Sequence, residues 1–362
     1  MNVSSVERYS CPECNDRLLP HAFERAGDEI VRGVLICFGC RAAWIIDRGI
    51  PRFVPYEFYQ RSADFLQEFK DRITAAGGCP VVQSTVDALA VHLKKTEDLF
   101  GYEWDHWNRL GFTQELSLGR TKEKEFLTFA AKSFLNRDAV AGKLVLDAGC
   151  GNGRYARVVG EWGAELFAFD LGTKSTEATA ENCKDLPNVQ VFQGDIFQPP
   201  FKPETFDVVY SVSVLMHTGN ARKAFASLAR FVKKGGFFSA HVYHRGNALY
   251  EKVDAALRRQ TLSFDKEKLM RFSIRAARLC GLFPYRVRIA FNLLLRIEPW
   301  PMYVFDWYGA PIAEHHTYPE VFNWYRENGL EVTDHADRPH RFPWWKRSIK
   351  PPFFLTVRGR KS

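Results

Sequence analysis

The stretch LVLDAGCGNGRYA, residues 144–156, decides the fold. Leu144 to Leu146 read as an apolar strand with Asp147 at its end. Gly149, Gly151 and Gly153 then form a loop that opens into a helical stretch, RYARVVGEW. Glycines let the backbone approach a ligand closely and turn sharply into a helix. The spacing differs from the dinucleotide fingerprint G-x-G-x-x-G, because the third glycine comes one residue early and Arg154 stands in its place. An acid also precedes the first glycine by two residues. A pyrophosphate would meet Asp147 as a like charge, whereas a cationic ligand would not.

Asp-x-Gly-x-Gly-x-Gly resembles the first motif of class I S-adenosylmethionine-dependent methyltransferases, whose cofactor carries an ammonium and a sulfonium. Further landmarks follow in order. ELFAFD reads as a second strand ending at Asp170, VQVFQGD as a third ending at Asp195-Ile196, and FDVVYS as a fourth. The helix ARKAFASLARFVK leads through Lys234-Gly235-Gly236 to a fifth strand, FFSAHVY. The resemblance implies an α/β, Rossmann-like seven-stranded sheet with helices on both faces. Residues 331–334 and 353–358 supply its last two strands, and the final strand is antiparallel. It also implies a cofactor set of Asp147, Gly149, Gly151, Asn152, Gly153, Asp170, Asp195, Ile196 and Ser211. In that set Asp170 meets the ribose hydroxyls, Asp195 the adenine amino group, and Ile196 packs on the ring.

Four of the eight cysteines form two pairs, Cys11-Pro-Glu-Cys14 and Cys37-Phe-Gly-Cys40. A two-residue gap lets both thiolates of a turn face one ion, and four thiolates suit a closed, tetrahedral zinc site. Residues 1–56 are too few for a strong core, so a metal would supply stability. EIVRGVLIC and AAWIIDRGIPRFVP read as strands. This segment resembles the short zinc-ribbon proteins that activate methyltransferases of tRNA and translation factors. Their Asp-Gly-Ile-Pro appears here as Asp47-Arg48-Gly49-Ile50-Pro51, with one residue inserted. Cys79, Cys150, Cys183 and Cys280 show no metal spacing. The expected organisation is a zinc ribbon (1–56), a helical bridge that covers the cofactor (57–140), the cofactor-binding core (141–245), a helical insertion or acceptor lid (246–300), and the C-terminal part of the sheet (301–362).

The acceptor is read mainly by exclusion. The segment after the fourth strand, SVSVLMHTGN, lacks the Asn/Asp-Pro-Pro-Tyr/Phe of adenine amino-methylating enzymes and the Pro-Cys of cytosine-ring enzymes. VLMHTGN is similar to a segment of methyltransferases acting on quinones, natural products and surface glycans, which places His217 near the sulfonium. YVFDWYGAPIAEHHTYPEVFNWYRENGL, residues 303–330, resembles a segment of polysaccharide and lipid-glycan methyltransferases. There Thr317 reads as an N-cap and Gly329 as the helix end. Asp306, His315 and His316 precede that helix on the acceptor side, which makes His217, Asp306 and His316 the catalytic candidates. Tyr102, Trp104 and Trp107 in FGYEWDHW are candidates to close over the cofactor. In the insertion, Arg271, Arg275 and Arg278 share one helical face. Leu269, Phe272, Ile274, Leu279 and Leu282 cover the remainder, as in an acceptor lid or an interfacial helix.

Composition narrows the field further. Across 362 residues, 46% hydrophobic and 25% charged content is globular rather than disordered. No apolar run reaches about 18 residues, and the start lacks a basic-then-apolar signal, so the expectation is a cytoplasmic protein. The formal charge of +8 gathers late in the chain. Residues 271–300 carry six Arg against one Glu, and residues 341–362 carry seven Lys or Arg and no acid. Such charge suits a phosphate, a nucleic acid or an anionic membrane surface as partner. Three functions compete: methylation of a small-molecule or glycan acceptor that includes lipid-linked forms, methylation of ribosomal or transfer RNA, and a non-catalytic adaptor that keeps the cofactor fold.

Overall fold

The computed structural model describes residues 1, 3–59, 61–80, 88–107, 122–291, 295–336 and 354–362. Four strands come first: β1 (Leu18–Ala26), β2 (Glu29–Cys37), β3 (Ala42–Asp47) and β4 (Ile50–Phe53). Each pairs antiparallel with the next. Asp47 pairs with Ile50 across a two-residue turn in which Arg48 and Gly49 have φ of +53° and +72°. Positive φ at both positions is the type I′ geometry that matches strand twist, so the inserted residue closes a hairpin. Helix α1 (Ser62–Ala75) and the short β5 (Cys79–Pro80) follow, and β5 runs parallel to β3. Helices α2 (Ala88–Trp107), α3 (Lys122–Ser133) and α4 (Arg137–Val140) lead to the second half of the molecule.

That half alternates strand and helix. It comprises β6 (Leu144–Ala148), α5 (Arg154–Glu161), β7 (Glu165–Asp170), α6 (Thr173–Asn182), β8 (Val189–Gly194), β9 (Phe206–Val212), α7 (Ala221–Ala229) and β10 (Val232–Tyr243). Four helices come next: α8 (Ala248–Thr261), α9 (Lys266–Gly281), α10 (Tyr285–Phe291) and α11 (Pro301–Gly309). Helix α12 (Tyr318–Glu327) and strands β11 (Leu330–His335) and β12 (Phe354–Lys361) complete the chain. Thr317 and Glu320 form a reciprocal capping box at the start of α12, and Gly329 follows its end at φ +67°.

Seven strands stand in the order β8-β7-β6-β9-β10-β12-β11, with β12 antiparallel to both neighbours. The expected count needs correction, because the sheet does not stop there. Strand β4 pairs parallel with β8, Arg52 opposite Gln193 and Phe53 opposite Gly194, so one twelve-stranded sheet runs through both halves. The N-terminal strands keep a core of their own, where Val34, Ile36, Ala43 and Ile45 pack on Phe65, Phe69 and Ile73 of α1, and they also share a core with the second half. Tyr9 packs against Phe53, Phe167, Phe192 and Phe201, with ring centroids 5.1–5.6 Å apart.

Side chains alternate across the sheet as a period of two requires. Leu144, Leu146 and Ala148 face the core shared with α7 and α12, while Val145 faces α3 and α5 with Phe129 and Val158. Order reverses between β6 and β9, which opens a crevice at the carboxyl ends of the strands. Leu279 and Leu282, expected to cover the remainder of α9, are instead exposed. Its buried face is Leu269, Met270, Ser273 and Ala277. No helix among the described residues is long and apolar enough to cross a membrane.

Candidate functional site

The glycine loop leaves β6 and is held by its neighbours through the backbone. The amides of Gly149 and Cys150 both donate to the Phe169 carbonyl, at 2.8 and 2.9 Å. Gly149, Gly151 and Gly153 have φ of +89°, +56° and +82°, a region that side chains strain. At Gly149 space also forbids one, since a Cβ would lie 2.3 Å from Val214. Helix α6 grips the loop from below: Thr179 Oγ1 donates to the Gly151 carbonyl at 2.9 Å and Asn182 Nδ2 to the Asn152 carbonyl at 2.7 Å.

Asp170, at the end of β7, ties the loop to the next turn. It accepts from the Gly151 amide at 3.0 Å and the Gly172 amide at 2.9 Å. Asp195 accepts from the Phe197 amide at 2.9 Å. Burial raises both carboxyls above the ordinary range, and the amide bonds oppose it. A cleft opens over these groups. Gly149, Gly151, Asn152, Asp170, Asp195 and Ile196 line it, whereas Asp147, Gly153 and Ser211 stand behind the lining. Gly153 caps α5, and Ser211 Oγ donates to the Ala148 carbonyl at 2.9 Å, joining β9 to β6. Asp147 is 2% exposed and its Oδ2 has no partner. Burial pushes its carboxyl up to about 8. The Tyr210 hydroxyl favours its charged form but does not offset burial, so a buried carboxyl just behind a glycine loop fits a cationic ligand, which would draw it back to that form.

The opposite wall is made by α2 and α11. Glu97, Phe100, Glu103 and Trp104 come from α2, and Met302, Tyr303 and Asp306 from α11. Glu97 Oε1, Glu103 Oε2 and Asp306 Oδ1 are buried without a hydrogen-bond partner. Burial raises the Glu103 carboxyl well above its ordinary value, and the negative charge of Asp306 adds to that. Arg154 also lines the cleft and pairs with Glu125 at 3.4 Å. Glu97, Glu103 and Arg154 were not among the sequence candidates. The signal for the two acids is the spacing of residues 97, 100, 103 and 104, which puts both on the helical face that carries Phe100 and Trp104.

The remaining candidates divide. His217 lines the cleft, and its Nδ1 lies 2.6 Å from the Ile312 carbonyl. A carbonyl only accepts, so Nδ1 carries the proton and Nε2 keeps a lone pair. Burial lowers its pKa, so the neutral ring is favoured. Trp104 lies over Gly151, where an added Cβ would sit 3.1 Å from the indole. Tyr102 is outside the lining and stacks on Phe305. The Trp107 side chain lies outside the described residues. His316 is also away from the cleft lining, packed on Trp324 at 4.7 Å. His315 Nδ1 donates to the Glu251 carboxylate at 2.7 Å, and the ring stacks on Trp307.

Outside the cleft lining, Cys11, Cys14, Cys37 and Cys40 place their sulfurs within 4.8 Å of one another. Cys11 and Cys40 are 3.6 Å apart, Cys14 and Cys37 3.3 Å. Four sulfurs at about 2.3 Å from one zinc ion lie roughly 3.8 Å apart, which this cluster brackets. Asn15 and Arg41, each following the second cysteine of its pair, turn the chain at φ +60° and +63°.

Residues 146–240 match a family model described as a methyltransferase domain. Among curated relatives, sterol 24-C-methyltransferase ERG6B of Gibberella zeae is 24% identical over 46% of this chain and 44% of its own. The tRNA (carboxymethyluridine(34)-5-O)-methyltransferase of Arabidopsis thaliana is 36% identical over 27% of this chain and 23% of its own. The chain thus spans less than half the length of these relatives. Among solved structures, the complex between the Haloferax volcanii Trm112 methyltransferase activator and a putative methyltransferase is similar at 16% identity. That match has a TM-score of 0.42 and covers 72% of this chain and 96% of that one.

Proposed function

We propose that this chain, which carries a methyltransferase domain over residues 146–240, transfers a methyl group from S-adenosylmethionine to a small-molecule or glycan acceptor, lipid-linked forms included. The observation that carries the reading is the polarity of the cleft. One end is the glycine loop with Asp170, Asp195 and the buried Asp147 behind it, a set of acceptors suited to a cationic nucleoside. The other end is walled by helices and brings Glu103 and Asp306, each with one buried oxygen lacking a hydrogen-bond partner, together with Arg154. Bound there, S-adenosylmethionine supplies an electrophilic methyl group on its sulfonium.

The chain's own residues do the rest. Asp170 and Asp195 fix the nucleoside end. Trp104 covers the loop and narrows access for water. His217 Nε2 and Asp306 accept the proton of an acceptor hydroxyl or amine as it is methylated, and burial together with the charge of Asp306 favours the protonated form of Glu103. Cys11, Cys14, Cys37 and Cys40 hold a structural zinc ion that takes no part in the chemistry.

The RNA reading rests on the basic C-terminus and on the name of the tRNA-modifying relative. Its platform is weaker than the charge count suggests. Arg358 pairs with Asp334, Arg360 donates to the Gly235 carbonyl, and Lys361 to the Asn328 carbonyl. The other basic residues of 341–362 lie outside the described residues.

Calorimetric titration with S-adenosylmethionine, then incubation of tritiated cofactor with a lysate and fractionation of the products, tests both levels. Saturable binding that Asp170→Asn weakens at least tenfold, with label in the small-molecule or lipid fraction, is expected. Absence of binding overturns the methyltransferase reading. Label confined to RNA overturns the acceptor.

A further inference from the structure

Helices α9 and α10 meet at the turn Leu282–Pro284, and all three turn residues are exposed, forming a solvent-facing tip. Ten large apolar side chains are exposed among the described residues, and five of them fall within residues 279–291. These are Leu279, Leu282, Phe283, Val287 and Phe291, with Leu282 79% exposed and Phe283 and Phe291 in ring contact at 5.4 Å. Residues 271–291 also contain five arginines and no acid. Arg271, Arg275, Arg278 and Arg286 are exposed. The opposite face of α9 is fully used, since Leu269 and Met270 pack with Phe305 and Ala310 of the α11 region.

A solvated helix edge accounts for the arginines but leaves five apolar side chains in water. A second copy docked through the same patch would bring the two arginine sets together, and like charges oppose that. A nucleic acid would satisfy the arginines but would not bury leucine and phenylalanine at a tip. A surface that is anionic outside and apolar within satisfies both sets at once. We propose that the α9–α10 tip is an interfacial anchor that docks the protein on an anionic lipid bilayer. Leu282 and Phe283 insert below the headgroups while Arg275, Arg278 and Arg286 contact them. The docking stands without the methyltransferase reading. With it, α11 links the anchor to the cleft, because the helix that packs on α9 also carries Met302, Tyr303 and Asp306 into the acceptor end.

The test is flotation of the full-length protein with phosphatidylcholine vesicles, with and without about one-third phosphatidylglycerol. Binding to the anionic vesicles, at least tenfold weaker on neutral ones and weakened by salt, is expected. Arg275→Glu/Arg278→Glu and, separately, Leu282→Ser/Phe283→Ser should each reduce it at least tenfold. Circular dichroism and the unfolding midpoint serve as the fold control, since none of these side chains is buried. No binding by the unaltered protein, or binding indifferent to both variants, overturns the proposal. So does a dimer in sedimentation velocity that Leu282→Ser/Phe283→Ser dissolves, which would assign the patch to a second copy. RNA retention lost in Arg275→Glu/Arg278→Glu without vesicle binding overturns it as well.

Discussion

Asp147 ties folding to ligand binding through one proton. Its carboxyl titrates near 8 in the folded chain because burial disfavours the charged form, against an ordinary 3.8. Between those values the folded state holds a proton that the unfolded state has released, so stability falls as pH rises from about 4 towards 8. Asp147→Asn removes that dependence, and the ligand-free protein should melt higher at pH 8 than the unaltered one while differing little at pH 4. The same substitution should weaken S-adenosylmethionine at least tenfold. Because a cation returns the group to its charged form, binding at pH 7 should release a proton. Titration enthalpies that do not vary with the buffer's ionisation enthalpy would contradict this. His217 behaves in the opposite sense, since burial lowers its pKa and keeps it neutral as a base. The acid limb of kcat/KM should therefore fall below the ordinary histidine value of about 6.5. Asp306→Asn should cost kcat about 10²-fold with a smaller change in KM. At this scale the glycine loop, Asp170 and Asp195 were legible because a strand, an acid and a glycine spacing occur together in the chain. Glu97 and Glu103 were harder to read, since their spacing with Phe100 and Trp104 marks one helical face but does not say that the face lines a cleft.

Among the elements, the seam between β4 and β8 organises the most. Arg52 on β4 is 1% exposed and donates to Thr176 Oγ1 at 3.0 Å and Gln193 Oε1 at 3.2 Å. Arg48, Arg52 and Arg61 converge on one carboxylate, Glu177 of α6. Removing one member of a buried ion pair leaves the other charge uncompensated, typically at about 3–5 kcal/mol. Glu177→Gln should therefore lower stability by an amount of that order in urea unfolding, and adding Arg52→Met should recover part of the loss. Equal or greater destabilisation of the double variant would mean that the seam is held by packing rather than charge. This junction was invisible in the sequence. IPRF looks like any short strand exit, and its partner lies about 140 residues away with no local pattern to link them. Strand β1 was missed for a different reason. Pro20 and a register shift between Ala22 and Glu24 break the apolar alternation, which an edge strand tolerates and a central strand does not.

For the molecule as a whole, the expected consequence is that the cysteine cluster and the cofactor cleft unfold as one cooperative unit. Cys11 and Cys37 are fully buried members of the hydrophobic cluster that continues through Trp44, Phe53 and Phe192 to Leu355 and Val357. Phe53 pairs with Gly194, the residue immediately before Asp195. Zinc binding to four thiolates should therefore stabilise the cleft as well as the knuckles, since metal-binding free energy at such a site is folding free energy. Removing zinc with a strong chelator should lower the unfolding midpoint in a single transition and weaken S-adenosylmethionine binding in parallel. Cys14→Ser and Cys40→Ser, at the two exposed cysteines of the cluster, should reproduce the effect without a chelator. A separable ribbon predicts something else: two resolved transitions, the cofactor-dependent one unmoved by the chelator. The continuous sheet and the Tyr9 aromatic cluster argue for one transition, because the ribbon cannot unfold without exposing Phe167, Phe192 and Phe201 on the cofactor side of the seam.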